Sequence, residues 1–239
     1  MKSIFYPENE RGQVNIGWLN ARHSFSFGNW YNPSRMGFGA LRVLNDDRVR
    51  ALSGFSKHPH QNMEIITIPL VGSLRHQDDL GNTSVIKSGE VQVMSAGSGV
   101  YHSEFNPETQ QETALLQLWI MPDEDGHEPR YDQRHFDQKP NEWNALVGPM
   151  NAHYGLEIHQ NAYISRFSAE VAQSVEYKWK DSNNGVYFFL IQGEASIEDQ
   201  ILKTRDALGV WDVESVNVQL TENSELLALE VPINGWPMP

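Results

Sequence analysis

The chain has 239 residues, 39% hydrophobic and 21% charged, an ordinary globular composition long enough for one large or two small cores. Its 18 basic and 31 acidic side chains leave a net charge of −13 with no Lys/Arg run, which argues against direct nucleic-acid binding. The absence of cysteine excludes disulfides, thiolate metal sites and cysteine nucleophiles. No apolar run approaches the roughly 20 residues of a membrane span. The opening MKSIFYPENERG lacks the apolar core of a signal peptide, so a cytoplasmic protein with no membrane partner is expected.

Residues 1–50 are rich in Gly, Asn, Trp and Phe, and GALRVLNDDRV offers a strand with a turn at Asn45-Asp46-Asp47. Phe25, Phe27, Trp30 and Tyr31 are expected to pack as core. MEIITIPL (63–70) reads as a buried strand, followed by short strands at 83–86 and 91–94 and a buried strand at 114–121. Short strands separated by Gly turns point to an antiparallel sandwich or jelly roll. Residues 122–149 are polar, Pro-bearing and aperiodic, and read as a connection between two domains in which His127 and His135 are solvated.

The second half returns to β character at 162–167, 186–191, 207–213, 216–220 and 226–231. A faint repeat is visible: IPLVGSL matches FLIQGEA, aligning Gly72 with Gly193, and SGEVQVM matches TRDALGV, aligning Glu90 with Asp206. Two β domains of similar layout produce such a pattern. The C-terminal NGWPMP is a Pro-rich tail with no readable chemistry.

The chemistry concentrates between residues 54 and 106, in His58-Pro59-His60 and His102-Ser103-Glu104. In extended chain, side chains two apart share a face. His58 with His60, and His102 with Glu104, can therefore converge from neighbouring strands as three imidazoles and one carboxylate. That set suits a divalent transition metal with open positions. Glu64 is a rival carboxylate, four residues beyond His60 and on the same face if the strand is regular. His76 sits in a charged, turn-like segment and is expected at the surface; His23, His153 and His159 have no partner at ligand spacing. Carried along the repeat, His58 and His60 fall near Trp179 and Asp181, and His102 and Glu104 near Val218 and Leu220. One metal per chain is the expectation.

Several stretches carry a family resemblance: HPHQNMEIIT, His76-Gln77-Asp78-Asp79-Leu80-Gly81, SGEVQVMSAGSGVYHSE, and upstream WLNARHSFSFGNWYNP and GALRVLNDDRV. They resemble the metal-binding half of a cupin and, more narrowly, the pirin family. The resemblance implies an all-β fold of two tandem cupin (jelly-roll β-barrel) domains. Residues 1–130 would hold the metal and 131–239 would form a cupin without one. It implies His58, His60, His102 and Glu104 as metal ligands, with iron first and nickel, copper, manganese, cobalt or zinc as alternatives. The implied activity is 2,3-cleavage of a flavonol such as quercetin with O2 and release of carbon monoxide. Glu104 would then take the proton of the substrate's 3-hydroxyl. A pirin-like regulator that binds a transcription factor or a metabolic enzyme is the alternative, and a cupin acting on another small carboxylate or enol is a third. A monomer is expected.

Overall fold

The computed structural model describes residues 1–236; the last three residues of the NGWPMP tail lie outside them. The described residues form twenty strands and one short 3-10 turn at Glu8–Glu10. The first ten strands are β1 (Lys2–Tyr6), β2 (Gly12–Asn15), β3 (Leu19–His23), β4 (Leu41–Val49), β5 (Gly54–Val71), β6 (Ser73–Asp78), β7 (Thr83–Lys87), β8 (Glu90–Phe105), β9 (Thr113–Ile120) and β10 (Arg130–His135). Then follow β11 (Trp143–Pro149), β12 (Leu156–Ile158), β13 (Tyr163–Ala169), β14 (Gln173–Lys178), β15 (Asn184–Gln192), β16 (Glu194–Ile197), β17 (Gln200–Lys203), β18 (Ala207–Trp211), β19 (Ser215–Leu220) and β20 (Ser224–Pro232). Among the described residues no helix is long and apolar enough to cross a membrane.

The first barrel is a nine-stranded sheet in the order β2-β3-β4-β9-β5-β8-β6-β7, with β10 added along β8. The second combines a seven-stranded sheet, β1-β18-β15-β20-β13-β11-β12, with a four-stranded one, β14-β19-β16-β17. The expected all-β, two-cupin architecture is the observed one. The two barrels pack sheet to sheet, and one apolar cluster runs across the junction. Ile66, Ile68, Leu116 and Leu118 come to it from the first barrel, and Tyr187, Phe189, Leu227 and Leu229 from the second. Phe38 reaches across from the first half and lies over Gly209, where a Cβ would come within 2.5 Å of its ring. The N-terminal strand also crosses: β1 pairs antiparallel with β18 of the second barrel, Ile4 opposite Gly209.

Residues 122–149 are not merely a connection. They contain β10 and β11, and β10 runs along β8 with Tyr131 opposite Met94. Its residues are all half-buried or exposed, so no apolar alternation marks it; the backbone ladder to β8 holds it in place. Of the four N-terminal aromatics, Phe25 is core, whereas Tyr31 is 72% exposed and Phe27 lines a cavity.

The two longest strands, β5 and β8, position the site. MEIITIPL continues backwards through His60 and His58 to Gly54, so both histidines stand on a strand and not on a turn. The β5–β8 ladder places His58 opposite His102. At its end the strands come so close that a Cβ on Gly54 would meet the Glu104 carbonyl oxygen at 2.2 Å, which only glycine avoids.

Candidate metal centre

His58, His60 and His102 converge as the spacing predicts, with one ring nitrogen of each within 4.8 Å of the other two. His58 Nδ1 lies 2.8 Å from the Ser56 carbonyl and so donates to it, leaving Nε2 with a bare lone pair. That Nε2 lies 3.1 Å from His102 Nε2. Two bare nitrogens so close repel unless a cation sits between them. The separation suits two ligands each about 2.0–2.1 Å from one ion. Burial, then the neighbouring imidazoles, pushes His102 down to about 2; burial, then His58, pushes His60 down to about 4. Both rings are therefore neutral at pH 7, as a ligand must be. The residues present fit a divalent metal.

Behind His102 stands a chain that the linear reading misplaced. His76 is not at the surface: it is fully buried on β6, its Nδ1 3.4 Å from His102 Nδ1 and its Nε2 3.0 Å from Asp78 Oδ2. One proton arrangement satisfies every member. His76 Nε2–H donates to Asp78, His102 Nδ1–H donates to the lone pair on His76 Nδ1, and His102 Nε2 keeps its lone pair for the ion. Asp78 also accepts from the backbone N–H groups of Leu80 and Asn82 and from Asn82 Nδ2. Burial pushes the Asp78 carboxyl up, but hydrogen bonds from His76 and Asn82 outweigh it and hold the group below its ordinary value. Tyr131 of β10 stacks on His76 at 4.7 Å. Carboxylates that orient a ligating histidine commonly set metal affinity. The signal was present, since His76 and Asp78 are two apart, like His58 and His60.

Glu104 is 2% exposed on the same inward face of β8 as His102. Gln117 Nε2 donates to both its oxygens, at 3.1 and 2.8 Å, and burial raises its pKa. It lines the cavity beside His58 and His60, though it stands outside the close knot of imidazole nitrogens. Glu64 does not share the histidines' face. The β5–β8 register shifts between His60 and Asn62, where Asn62 takes a φ of 66°, and the alternation inverts. Glu64 therefore turns to the barrel junction, accepting from Ser95 Oγ at 2.7 Å and meeting His159 Nδ1 at 3.1 Å. His159 stacks on His127 at 4.0 Å, and His127 Nε2 lies 2.8 Å from Asp123; His127 is thus anchored, not freely solvated.

The histidines open onto a cavity of about 560 Å³, in the size range of small-molecule sites. Two edge-to-face aromatic pairs wall it: Trp18 with Phe55 at 5.1 Å and Phe27 with Trp119 at 5.2 Å. The polar remainder comes from Ser56, Gln117 and, on β3 and β4, His23, Asn45 and Asp47. Burial, then Asp46 and Glu104, raises Asp47 to about 8, while burial, then Arg11, lowers His23 to about 4. Linear spacing could not reveal these three, because they reach the cavity only through the β3–β4–β9 pairing.

Comparison with known proteins agrees with this centre. A family model described as Pirin matches residues 5–120, and one described as Quercetinase C-terminal cupin domain matches residues 145–231. A protein of Escherichia coli (strain K12) named quercetin 2,3-dioxygenase is 40% identical over 225 residues, 94% of this chain and 96% of its own. The chain belongs to the pirin family. A pirin-like protein of Caulobacter vibrioides is 34% identical over 229 residues, covering 94% of this pirin and 97% of its own length. The crystal structure of the bacterial pirin YhhW from Escherichia coli in complex with nickel(II) superposes with a TM-score of 0.91 at 37% identity. It covers 97% of this chain and 99% of that one.

The second barrel of this pirin fills the equivalent position with apolar side chains. Where β5 sets His58 against His102, β14 sets Val175 against Val218, with Tyr177 and Leu220 two residues along. Ladder pairing thus puts Val175 and Tyr177, not Trp179 and Asp181, opposite the repeat of His102. These residues join Phe167, Trp179 and Phe188 in a packed core.

Proposed function

We propose that this pirin is a dioxygenase that opens a flavonol across its 2,3 bond. Both atoms of O2 enter the organic product, and one ring carbon leaves as carbon monoxide. The observation that carries the reading is the pair of bare imidazole nitrogens 3.1 Å apart at the mouth of an aromatic-walled cavity. The naming of an Escherichia coli relative as quercetin 2,3-dioxygenase supports it. When bound, a divalent metal supplies Lewis acidity toward an enol oxygen and a path for electrons to O2. We take iron as the resident ion, held by His58, His60 and His102, with Glu104 completing the set.

Glu104 is also placed to accept the proton of the 3-hydroxyl, with Gln117 keeping its carboxylate turned to the cavity. The four aromatic side chains hold flat rings against the centre and exclude water. Oxygen consumption and carbon monoxide release with quercetin test the reading, using protein loaded separately with iron, nickel, copper and manganese and His60→Ala as control. Carbon monoxide from wild type but not from the variant is the expected result. No release with any metal, in protein that holds one, would overturn it. Glu104→Gln should cut turnover about 10²–10⁴-fold while metal content stays near wild type; equal losses of both would remove the base role.

A further inference from the structure

We propose that His23, Asn45 and Asp47 form a hydroxyl-recognising subsite, selecting substrates that carry a further phenolic hydroxyl besides the enol at the metal. The proposal rests on the flavonol reading above. All three side chains line the cavity, and all are more than nine-tenths buried, at 5%, 2% and 4% exposure. Each nonetheless has a polar atom without a partner: His23 Nδ1, Asn45 Oδ1 and Asp47 Oδ1. Buried polar atoms are rarely left so, and three together facing one cavity mark a place where a ligand supplies the missing bonds.

The contrast with the neighbouring aspartate sharpens the point. Asp46, one residue away on the opposite face of β4, has Arg205 at 2.9 Å and Arg11 at 3.4 Å. Asp47 faces inward and makes no ion-pair contact; Arg11, held by Asp46, acts on it only at longer range. The subsite offers acceptors for a hydroxyl: the Asn45 amide oxygen accepts, while the Asp47 carboxyl and neutral His23 can each accept or donate. Such a row suits O–H groups, which both donate and accept. Its place in the sheet sets which part of the cavity the hydroxyl must reach. His23 pairs with Asn45, Asn45 with Gln117, and β9 separates β4 from β5. Gln117 in turn donates to Glu104, so the subsite adjoins the Glu104 side of the cavity. A hydroxyl that reaches it is one additional to the enol at the metal.

Anaerobic binding to the nickel-loaded protein tests this, read by quenching of Trp18 and Trp119 at the cavity wall. The probes are 3-hydroxyflavone, which carries the enol alone, and quercetin, which adds hydroxyls on both outer rings. Wild type should bind quercetin about 10–100-fold more tightly. Asn45→Ala and Asp47→Leu should each bring that ratio down about tenfold, and Asp47→Asn, which keeps an acceptor, should retain most of it. Far-UV circular dichroism and nickel stoichiometry check that each variant folds; Asn45→Ala and Asp47→Asn carry the test if Asp47→Leu does not. Equal affinity of wild type for both flavonols would overturn the subsite alone. So would variants that weaken both probes in proportion, since that is what a structural role produces. Failure to bind either flavonol would overturn the flavonol reading, and the subsite with it.

Discussion

The two barrels put the same strand crossing to opposite uses. In the first, His58 faces His102 and the space beside them stays open as a cavity. In the second, Val175 faces Val218, and Tyr177, Trp179 and Phe188 close the interior. A packed barrel gains burial free energy, about 1.5–3 kcal/mol for each large apolar side chain. A barrel with a cavity forgoes part of it and keeps buried polar atoms without partners. The pairing of the two resolves the conflict: the open barrel shares an apolar junction with the filled one, and β1 and β10 tie the chain's halves into both sheets.

Substitutions at matched positions should separate these uses. The largest effect belongs to His102→Ala, which removes the imidazole flanked by His58 on one side and His76 on the other. Metal content by elemental analysis should fall below about a tenth of wild type, with the thermal transition of the metal-free protein little changed. Wild-type metal content in this variant would remove His102 from the ligand set. At the matching position next along, Leu220→Ala should do the reverse. We expect a loss of about 2–5 kcal/mol by denaturant unfolding, with metal per folded chain unaltered. Loss of metal at full stability would mean that the second barrel shapes the site directly.

A smaller change is expected from His76→Phe, which keeps bulk but breaks the chain to Asp78. Metal affinity should weaken about 10–100-fold, and the Cu(II) electron paramagnetic resonance spectrum should shift as His102 reorients. An unchanged spectrum with unchanged affinity would leave His76 a packing residue. The smallest effect is a pH dependence. Burial lifts Asp47 to about 8 from its ordinary 3.8, so the folded protein holds a proton that the unfolded chain releases. That contribution to stability is present below pH 4 and is lost as pH rises toward 8. Asp47→Asn, which never ionises, should therefore gain on wild type by about 1–3 kcal/mol between pH 5 and pH 8. A difference independent of pH would show that Asp47 ionises freely in the fold.

Much of this molecule was legible in the linear chain. Period-two spacing identified His58, His60 and His102, and the β-branched runs identified most central strands of both barrels. Where the reading went astray, non-local pairing was responsible. Counting along a regular strand puts Glu64 on the histidines' face, but the register shift before Asn62 turns it toward His159. Residues 130–135 lack apolar alternation because β10 is held by β8, yet they deliver Tyr131 to the back of the site. His76 looked exposed because polar residues surround it; β6 alternates them, turning His76 and Asp78 inward.

By itself, then, the sequence determined which side chains could share a face, since that depends only on the local period of an extended chain. It thereby determined the imidazole trio and the all-β class. The tertiary structure alone decided which faces meet. Partners tens of residues apart, such as His76 behind His102 or His159 on Glu64, are chosen by strand register and by single irregularities within it. One shifted residue exchanges inside for outside, and no local pattern records it.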